Sequence, residues 1–523
     1  MPGTDHHEAG GHNAGNGESA PLLPTSHDHP HRKHTFSDGI GLQPPFTAFF
    51  LCADKIVAHE GESGRSGFHP RHFLAVIARS SSHVSMAVNT LWPFAIVAII
   101  LNFVTQAHLW IFATAYIGMI PAANLLGFAG QEFARKMPKV AGILIEVSFG
   151  SIVEIILFLV LIVQHQSGTG AEDNGDEGNL IPIIQAAILG SILTNLLLCL
   201  GLCFFVAGIR RHKENQKFHA VVSEVGSGLL LVAAFGLLIP SAFYSALKHE
   251  TVTALHERFT QGKLQDDIIK ISRATSIVLI IAFALYLIFS CTSASSIFDE
   301  VIEQDEHADA DREEDAAKMK LTLTETVVAI IISIIFVALL LVILVGQIEE
   351  VVESGVPDQF LGLILLPLVE KAAEHLTAID EAWDGVINVA LYHCIGPSIQ
   401  TALFNAPLVV LVGWALGKPM DLNFEIFMIA LLVLSILVVG NFLRDQESNW
   451  LEGSLLVVSN TQRYLRCLLT LQQIVYVIIG IASFYYPNPD VATSNGIEAA
   501  TQKAVTIPSS LYKQLLALPQ GEL

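Results

Sequence analysis

From Ser80 to Gln131 the chain runs without a single Asp, Glu, Lys or Arg. A helix needs about 20 apolar residues to cross a hydrocarbon core, so this stretch has room for two spans. Inside a bilayer every backbone N–H and C=O must be satisfied within the protein, which leaves only helices and closed barrels. Long unbroken apolar runs select the helix. Spans are expected near 84–104, 108–128, 140–165, 180–209, 219–247, 274–296, 326–345, 358–380, 386–416 and 422–443, and a last one begins near Trp450. Of 523 residues 52% are hydrophobic and 15% charged, against about 25% charged in soluble domains. The expected fold class is all-α, a polytopic membrane protein with about 11 transmembrane helices.

One of those spans carries charge. Pro367 to Asp380 follows an apolar run and precedes another, which puts Glu370, Lys371, Glu374 and His375 at membrane depth. Each ionisable group there costs roughly 2.5–3.5 kcal/mol and defaults to a functional reading. On a helix Glu370 and Glu374 share a face at i,i+4, with Lys371 beside Glu374 at i,i+3. The bland alternative is a short amphipathic helix on the surface. An earlier stretch, Glu146 to Glu154, also sets a carboxylate inside an apolar run. Each stretch is followed by a long apolar segment with a glycine interruption, Ile188 to Asn195 and Cys394 to Gln400. Two such halves mark a repeat-built secondary transporter, with the helices broken around Gly190 and Gly396.

These residues also carry a resemblance. The chain resembles the cation/proton exchangers of the calcium/cation antiporter superfamily, and in particular vacuolar calcium/proton exchangers. That family has Gly-Asn-Ala-x-Glu in each half, matched here by Gly150 to Glu154 and by Glu370 to Glu374. Its Gly-Ser-Ile motif, followed by Asn and leucines, is matched by Gly190 to Leu198, and Gly-Ser-Ser-Ile-Gln-x-Ala-Leu-Phe by Gly396 to Phe404. The likeness covers roughly Leu109 to Tyr486. Departures are Ser151 for Asn, Glu370-Lys371 for Gly-Asn, and Pro397 for Ser.

The resemblance implies one leader helix plus two inverted five-helix repeats, joined by an acidic cytosolic helix. The segments expected are a polar cytosolic tail (1–79), leader and first repeat helix (80–128), the rest of the first repeat (129–297), an acidic linker helix (298–320), the second repeat (321–486) and a C-terminal tail (487–523). It also implies Ca2+/H+ antiport at a vacuolar membrane, from cytosol to lumen, with Glu154 and Glu374 as the pair that binds the ion and exchanges protons. A monovalent (Na+/K+) or Mn2+ exchanger of the same fold is the alternative.

The chemistry agrees with that assignment. Two desolvated carboxylates that repel one another hold protons more tightly, so protons compete with a cation. Ca2+ takes six to eight oxygens, and Ser151, Ser191, Asn195, Ser398 and Gln400 are the expected further ligands, with unwound backbone supplying carbonyls. Alternating access would come from a gating bundle sliding past the others. Glu370, Lys371 and His375 are expected to tune selectivity. With all groups ionised, Glu154, Glu370, Glu374 and Lys371 carry a net −2, which matches a divalent cation. Lys371 offers donors only; it is expected to pair with Glu370, which leaves Glu374 free for Ca2+/H+ exchange. Pairing with Glu374 would favour a monovalent ion.

Other features bound the function. The net charge of −21 argues against nucleic acid, which needs a basic surface; the partners expected are Ca2+, H+ and the lipid bilayer, with no cofactor. The start has no cleavable signal pattern, and its seven histidines between His6 and His34 fit a disordered tail better than a metal site. Cys52, Cys199, Cys203, Cys291, Cys394 and Cys467 read as packing residues. Ten acids lie between Phe298 and Lys320, a solvated linker or a cation-sensing surface. Basic loops at Arg135–Lys139 and Arg210–Lys217 put the N-terminus in the cytosol. Ser459 to Gln473 interrupts the last span and reads as an unspliced intron in the gene, starting after Val458 (codons in GT) and ending in Gln (CAG). An enzyme is not expected: Glu374-His375 with His393 suggests a membrane metal hydrolase, but there is no His-Glu-x-x-His helix. A non-transporting sensor on the same fold is a further alternative.

Overall fold

The computed structural model describes residues 67–80, 82–137, 139–165, 179–210, 216–250, 261–292, 305, 320–444 and 446–448. The helices are α1 (Pro70–Arg79), α2 (His83–Val88), α3 (Trp92–Val104), α4 (His108–Ala134), α5 (Lys139–Gln164), α6 (Ile181–Leu193), α7 (Leu200–Arg210), α8 (Ala220–Glu250), α9 (Gln261–Thr292) and α10 (Leu323–Val345). They continue with α11 (Ile348–Glu353), α12 (Asp358–Phe360), α13 (Leu366–Glu370), α14 (Ala372–Asp384), α15 (Ile387–Gln400), α16 (Ala406–Ala415) and α17 (Ile426–Leu443). Strands β1 (Gln216–Lys217) and β2 (Glu447–Ser448) pair antiparallel. Among the described residues, eight helical stretches are long and apolar enough to cross a membrane, and two shorter apolar ones occupy Leu361–Glu370 and Ile426–Gly440. The span expected from Trp450, the Ser459–Gln473 stretch, the N-terminal tail and most of the acidic linker lie outside the described residues.

The burial pattern is that of a bundle in lipid. Apolar side chains point outward along α3 (Ile96, Ile100, Phe103), α9 (Val278, Ile281, Leu285) and α10 (Ile331, Ile335). Polar ones such as Ser151, Glu154, Ser191, Asn195, Lys371 and Thr401 are buried. Where water is absent, helices associate through close packing of small residues. A methyl group at Gly118 would sit 2.6 Å from the Ala95 backbone, and one at Gly190 would strike the Leu363 carbonyl. Gly362 in turn packs on Ile183 and Ala186 of α6. These glycines seat the 361–370 segment, and with it Glu370, against α6.

The expected breaks at Gly190 and Gly396 are not breaks. α6 runs into α7 through a π-helical turn at Thr194–Cys199, and α15 into α16 through another at Thr401–Asn405. A third π turn, Leu361–Leu365, leads into α13. Unwinding inside lipid would strand backbone groups, whereas a π turn admits one extra residue and keeps hydrogen bonds within the helix. The true interruption is at Lys371, the junction of α13 and α14, with φ −94° and ψ −1°.

Candidate functional site

Glu154 lies mid-way along α5, fully buried. Its carboxylate accepts hydrogen bonds from Thr401 Oγ1 at 2.8 Å and from Asn405 Nδ2 at 3.1 Å, both on the π turn after α15. Lys371 Nζ is 2.8 Å from Glu154 Oε2 and 3.3 Å from Glu374 Oε2. One ammonium therefore bridges the two carboxylates. Glu374 rests on Gly150 of α5, where a methyl group would land on its Oε1, so the glycine opening the first motif is the seat of the second motif's glutamate.

Lys371 does not make the expected pair with Glu370; it pairs with Glu154 and Glu374. Successive residues on a helix point about 100° apart, which turns Lys371 toward α5 and leaves Glu370 elsewhere. Glu370 is buried with Ser191 beside its carboxylate.

Of the other expected ligands, Ser151 is buried with a hydroxyl that makes no hydrogen bond, and Ser191 is buried beside Glu370. Asn195 Oδ1 accepts from His375 Nε2 at 3.0 Å. Ser398 donates to the Cys394 carbonyl of its own helix at 3.0 Å, and Gln400 is buried beside the π turn. Thr401 and Asn405, which do hold Glu154, were not anticipated. Their signal was present: two polar side chains at i,i+4 inside an uncharged run. Asn195 and Thr401 each stand five residues after the motif glycine, Gly190 or Gly396. Asn195 thus meets His375, and Thr401 meets Glu154.

A cleft of about 480 Å3 reaches this site. Glu370, Glu374 and Gly150 line its inner part, and Glu146, Gln131, Thr377 and His393 also line it. Gln131 Nε2 donates to Thr377 Oγ1 across it at 3.3 Å. Glu374 keeps 11% of its side chain exposed, Glu154 none. Toward the other end of α5, Lys418 donates to the His165 carbonyl. In the loop between α16 and α17, Asp421 accepts from Gln185 at 2.7 Å and Gln265 at 3.2 Å. Burial pushes the Asp421 carboxyl up to about 6, against the hydrogen bonds from Asn423, Gln265 and Gln185, which favour its charged form.

The cysteines hold one surprise. Cys394 arrives from the second half to lie 3.5 Å from Cys199 and 3.8 Å from Cys203, Sγ to Sγ, all three buried and free. The hydrolase constellation does not form: His375 engages Asn195, while His393 faces Glu381 and Glu146. Asp305 of the acidic segment caps α15, accepting from the Asn388 and Val389 backbone N–H groups at 2.8 and 3.2 Å.

The sodium/calcium exchanger protein family matches residues 107–292 and 325–459, spanning both carboxylate helices and all three π turns. The chain belongs to the sodium/calcium exchanger family. The match to this exchanger ends where the Ser459–Gln473 stretch begins. Vacuolar cation/proton exchanger 2 of Oryza sativa subsp. japonica is 32% identical over 405 residues, 77% of this chain and 82% of the relative. The Ca(2+)/H(+) antiporter of Aphanothece halophytica is 31% identical over 382 residues, 72% of this exchanger and 90% of the relative. The vacuolar calcium ion transporter of Schizosaccharomyces pombe is 30% identical, covering 72% and 79%. Among solved structures, the Ca2+/H+ antiporter protein YfkE superposes with a TM-score of 0.54 at 22% identity, covering 77% of the exchanger and 99% of that chain. The H+/Ca2+ exchanger CAX gives 0.50 at 11%, covering 83% and 98%. These likenesses show the fold, a polytopic exchanger bundle, and the family is one of antiporters.

Proposed function

We propose that this exchanger moves Ca2+ against protons across an internal, vacuolar membrane, from cytosol to lumen, and is not an enzyme. The observation that carries the reading is the bridge of one cationic group between Glu154 and Glu374, buried where two halves of the bundle meet. The relatives, a cation/proton exchanger and a Ca2+/H+ antiporter among them, support Ca2+ and protons as the substrates. Glu154, Glu370, Glu374 and Lys371 carry a net −2 when ionised, so one divalent cation or two protons neutralise the site. The Lys371 ammonium occupies the cation's place in this structure. Ca2+ arriving along the cleft meets the partly exposed Glu374 first, and Lys371 yields by swinging to the neighbouring Glu370. The helix junction at Lys371 and the flexible four-carbon stem permit that movement. Ser151, Ser191 and Asn195, with carbonyls of the π turns, are the further oxygens available to the ion, and Ser398 and Gln400 stand on the helix turns beside it.

Arg135, Lys136 and Arg210 mark the face on which the cleft opens, and the positive-inside rule assigns that face to the cytosol. On this reading the cleft is the cytosolic access route to the Glu154–Glu374 pair. The acidic segment anchored by Asp305 regulates rather than conducts, since surface charges are screened beyond about 8–10 Å.

The pairing of Lys371 with Glu374 favours a second reading. An ammonium that never leaves would reduce the pair to a net −1, fit for Na+ or K+. Proton-gradient-driven uptake by the purified protein in vesicles, compared across Ca2+, Mn2+, Na+ and K+, separates the two. Ca2+ uptake supports the first reading, uptake of Na+ or K+ alone the second, and absence of any flux a sensor.

A further inference from the structure

The cleft holds another cluster of ionisable groups, separate from the bridged pair. Glu146 on α5, Glu381 on α14 and His393 on α15 each bring one ligand atom within 4.8 Å of the others. His393 is 5% exposed. Its Nδ1 lies 3.0 Å from Glu381 Oε2 and its Nε2 3.7 Å from Glu146 Oε1. Nε2 makes no hydrogen bond, although Glu146 and His393 both line the cleft. Three helices thus aim a carboxylate, a carboxylate and an imidazole at one spot beside the route to Glu374.

That arrangement is the usual environment of a metal-ligating histidine. A carboxylate on one ring nitrogen fixes the tautomer, and the other nitrogen offers its lone pair. Here the imidazole stands between two carboxylates, with Nδ1 3.0 Å from Glu381 Oε2 and Nε2 3.7 Å from Glu146 Oε1; a metal would take the place of the proton on Nε2. A metal about 2.0–2.2 Å from N and O ligands needs ligand atoms within roughly twice that distance of each other, which these satisfy with small adjustments.

We propose that Glu146 and His393, with His393 oriented by Glu381, form a second cation site on the access route, selective for a divalent transition metal over Ca2+. Imidazole nitrogen suits Zn2+ and its neighbours, carboxylate suits Mn2+, and Ca2+ takes an all-oxygen shell. Water completes the coordination from the open side of the cleft. The site is distinct from the Glu154–Glu374 pair, and its existence does not depend on the antiport reading.

Mn2+ binding, followed by electron paramagnetic resonance on the full-length protein in nanodiscs, tests it. Glu374→Gln serves as background, because it disables the central pair yet keeps Lys371 bonded to Glu154. In that background Mn2+ should bind and resist an excess of Ca2+. Adding His393→Gln or Glu146→Gln should weaken binding at least tenfold, and Glu381→Gln by tenfold to a hundredfold through loss of orientation. Glu146 is on a separate helix and partly exposed, so its variant reports even if the His393 change perturbs folding. The proposal is overturned if the background protein binds no Mn2+, if Ca2+ displaces it equally well, or if neither added variant weakens it. Failure of Glu374→Gln to stop transport would count against the antiport site and leave this one untouched.

Discussion

Lys371 Nζ lies 2.8 Å from Glu154 Oε2, and both side chains are fully buried. The contact joins the first half of the exchanger to the second through a cation the protein carries itself. Removing one partner of a buried pair typically costs about 3–5 kcal/mol because a charge is left uncompensated. The site as a whole therefore prefers to be neutralised, by lysine, by protons or by the transported ion.

If Lys371 competes with the ion, removing it strengthens binding. The double variant Lys371→Asn, Glu370→Gly leaves Glu154 and Glu374 as the only charges at the net −2 that suits a divalent cation, and adds an amide oxygen. Its half-saturating Ca2+ concentration in vesicle uptake should fall at least tenfold. Parent-like values for Ca2+, Mn2+, Na+ and K+ would show that these two residues do not set selectivity.

Thr401 donates to Glu154 at 2.8 Å. A hydrogen bond to a charged group contributes about 1.5–3 kcal/mol, so Thr401→Val, of the same shape, should lower cation affinity or transport by roughly 10–100-fold. Thr401→Ser should keep most of it. Equal loss in both variants would point to packing rather than to the hydroxyl.

Gly150→Ala separates function from folding. Its methyl group would displace the Glu374 carboxylate, the mobile end of a side chain, whereas a methyl group at Gly190 meets the Leu363 backbone. Gly150→Ala should purify as a stable protein with impaired exchange, and Gly190→Ala should lose thermal stability. Full exchange by Gly150→Ala would mean that the seat of Glu374 is not required.

Asp421 gives the α16–α17 loop a pH dependence. With its carboxyl raised to about 6, the folded protein holds that proton more tightly than an unfolded chain does at about 3.9. Stability contributed by this group therefore rises as pH falls from about 6 toward 4, and is lost as pH climbs through 6. Amide exchange in 416–425, corrected for its intrinsic rate, should become slower at pH 5 than at pH 7. Asp421→Asn should abolish the difference; if the variant keeps it, another group is responsible.

Much of this was legible in the sequence because lipid is a demanding solvent. Uncharged runs had to be helices, and a carboxylate such as Glu154 or Glu374 inside one had to have a purpose. The partners of those carboxylates were less legible. Thr401 and Asn405 face Glu154 because a π turn alters the helix phase just after Gln400, which pattern counting does not reveal. Lys371 misled because its neighbour in sequence, Glu370, points away from it on a helix. Cys394 beside Cys199, and His393 between Glu146 and Glu381, come together only when separate helices pack. None of these pairs has a spacing in the chain that announces it.

The central claim is that Glu154 and Glu374 are the groups that alternate between protons and the transported cation. It is tested most directly by proton-gradient-driven Ca2+ uptake into vesicles holding Glu154→Gln or Glu374→Gln protein, with folding verified by its elution as a single species. Each variant removes one of the two carboxylates bridged by Lys371 and is expected to abolish uptake. Substantial gradient-driven uptake by either would contradict the assignment.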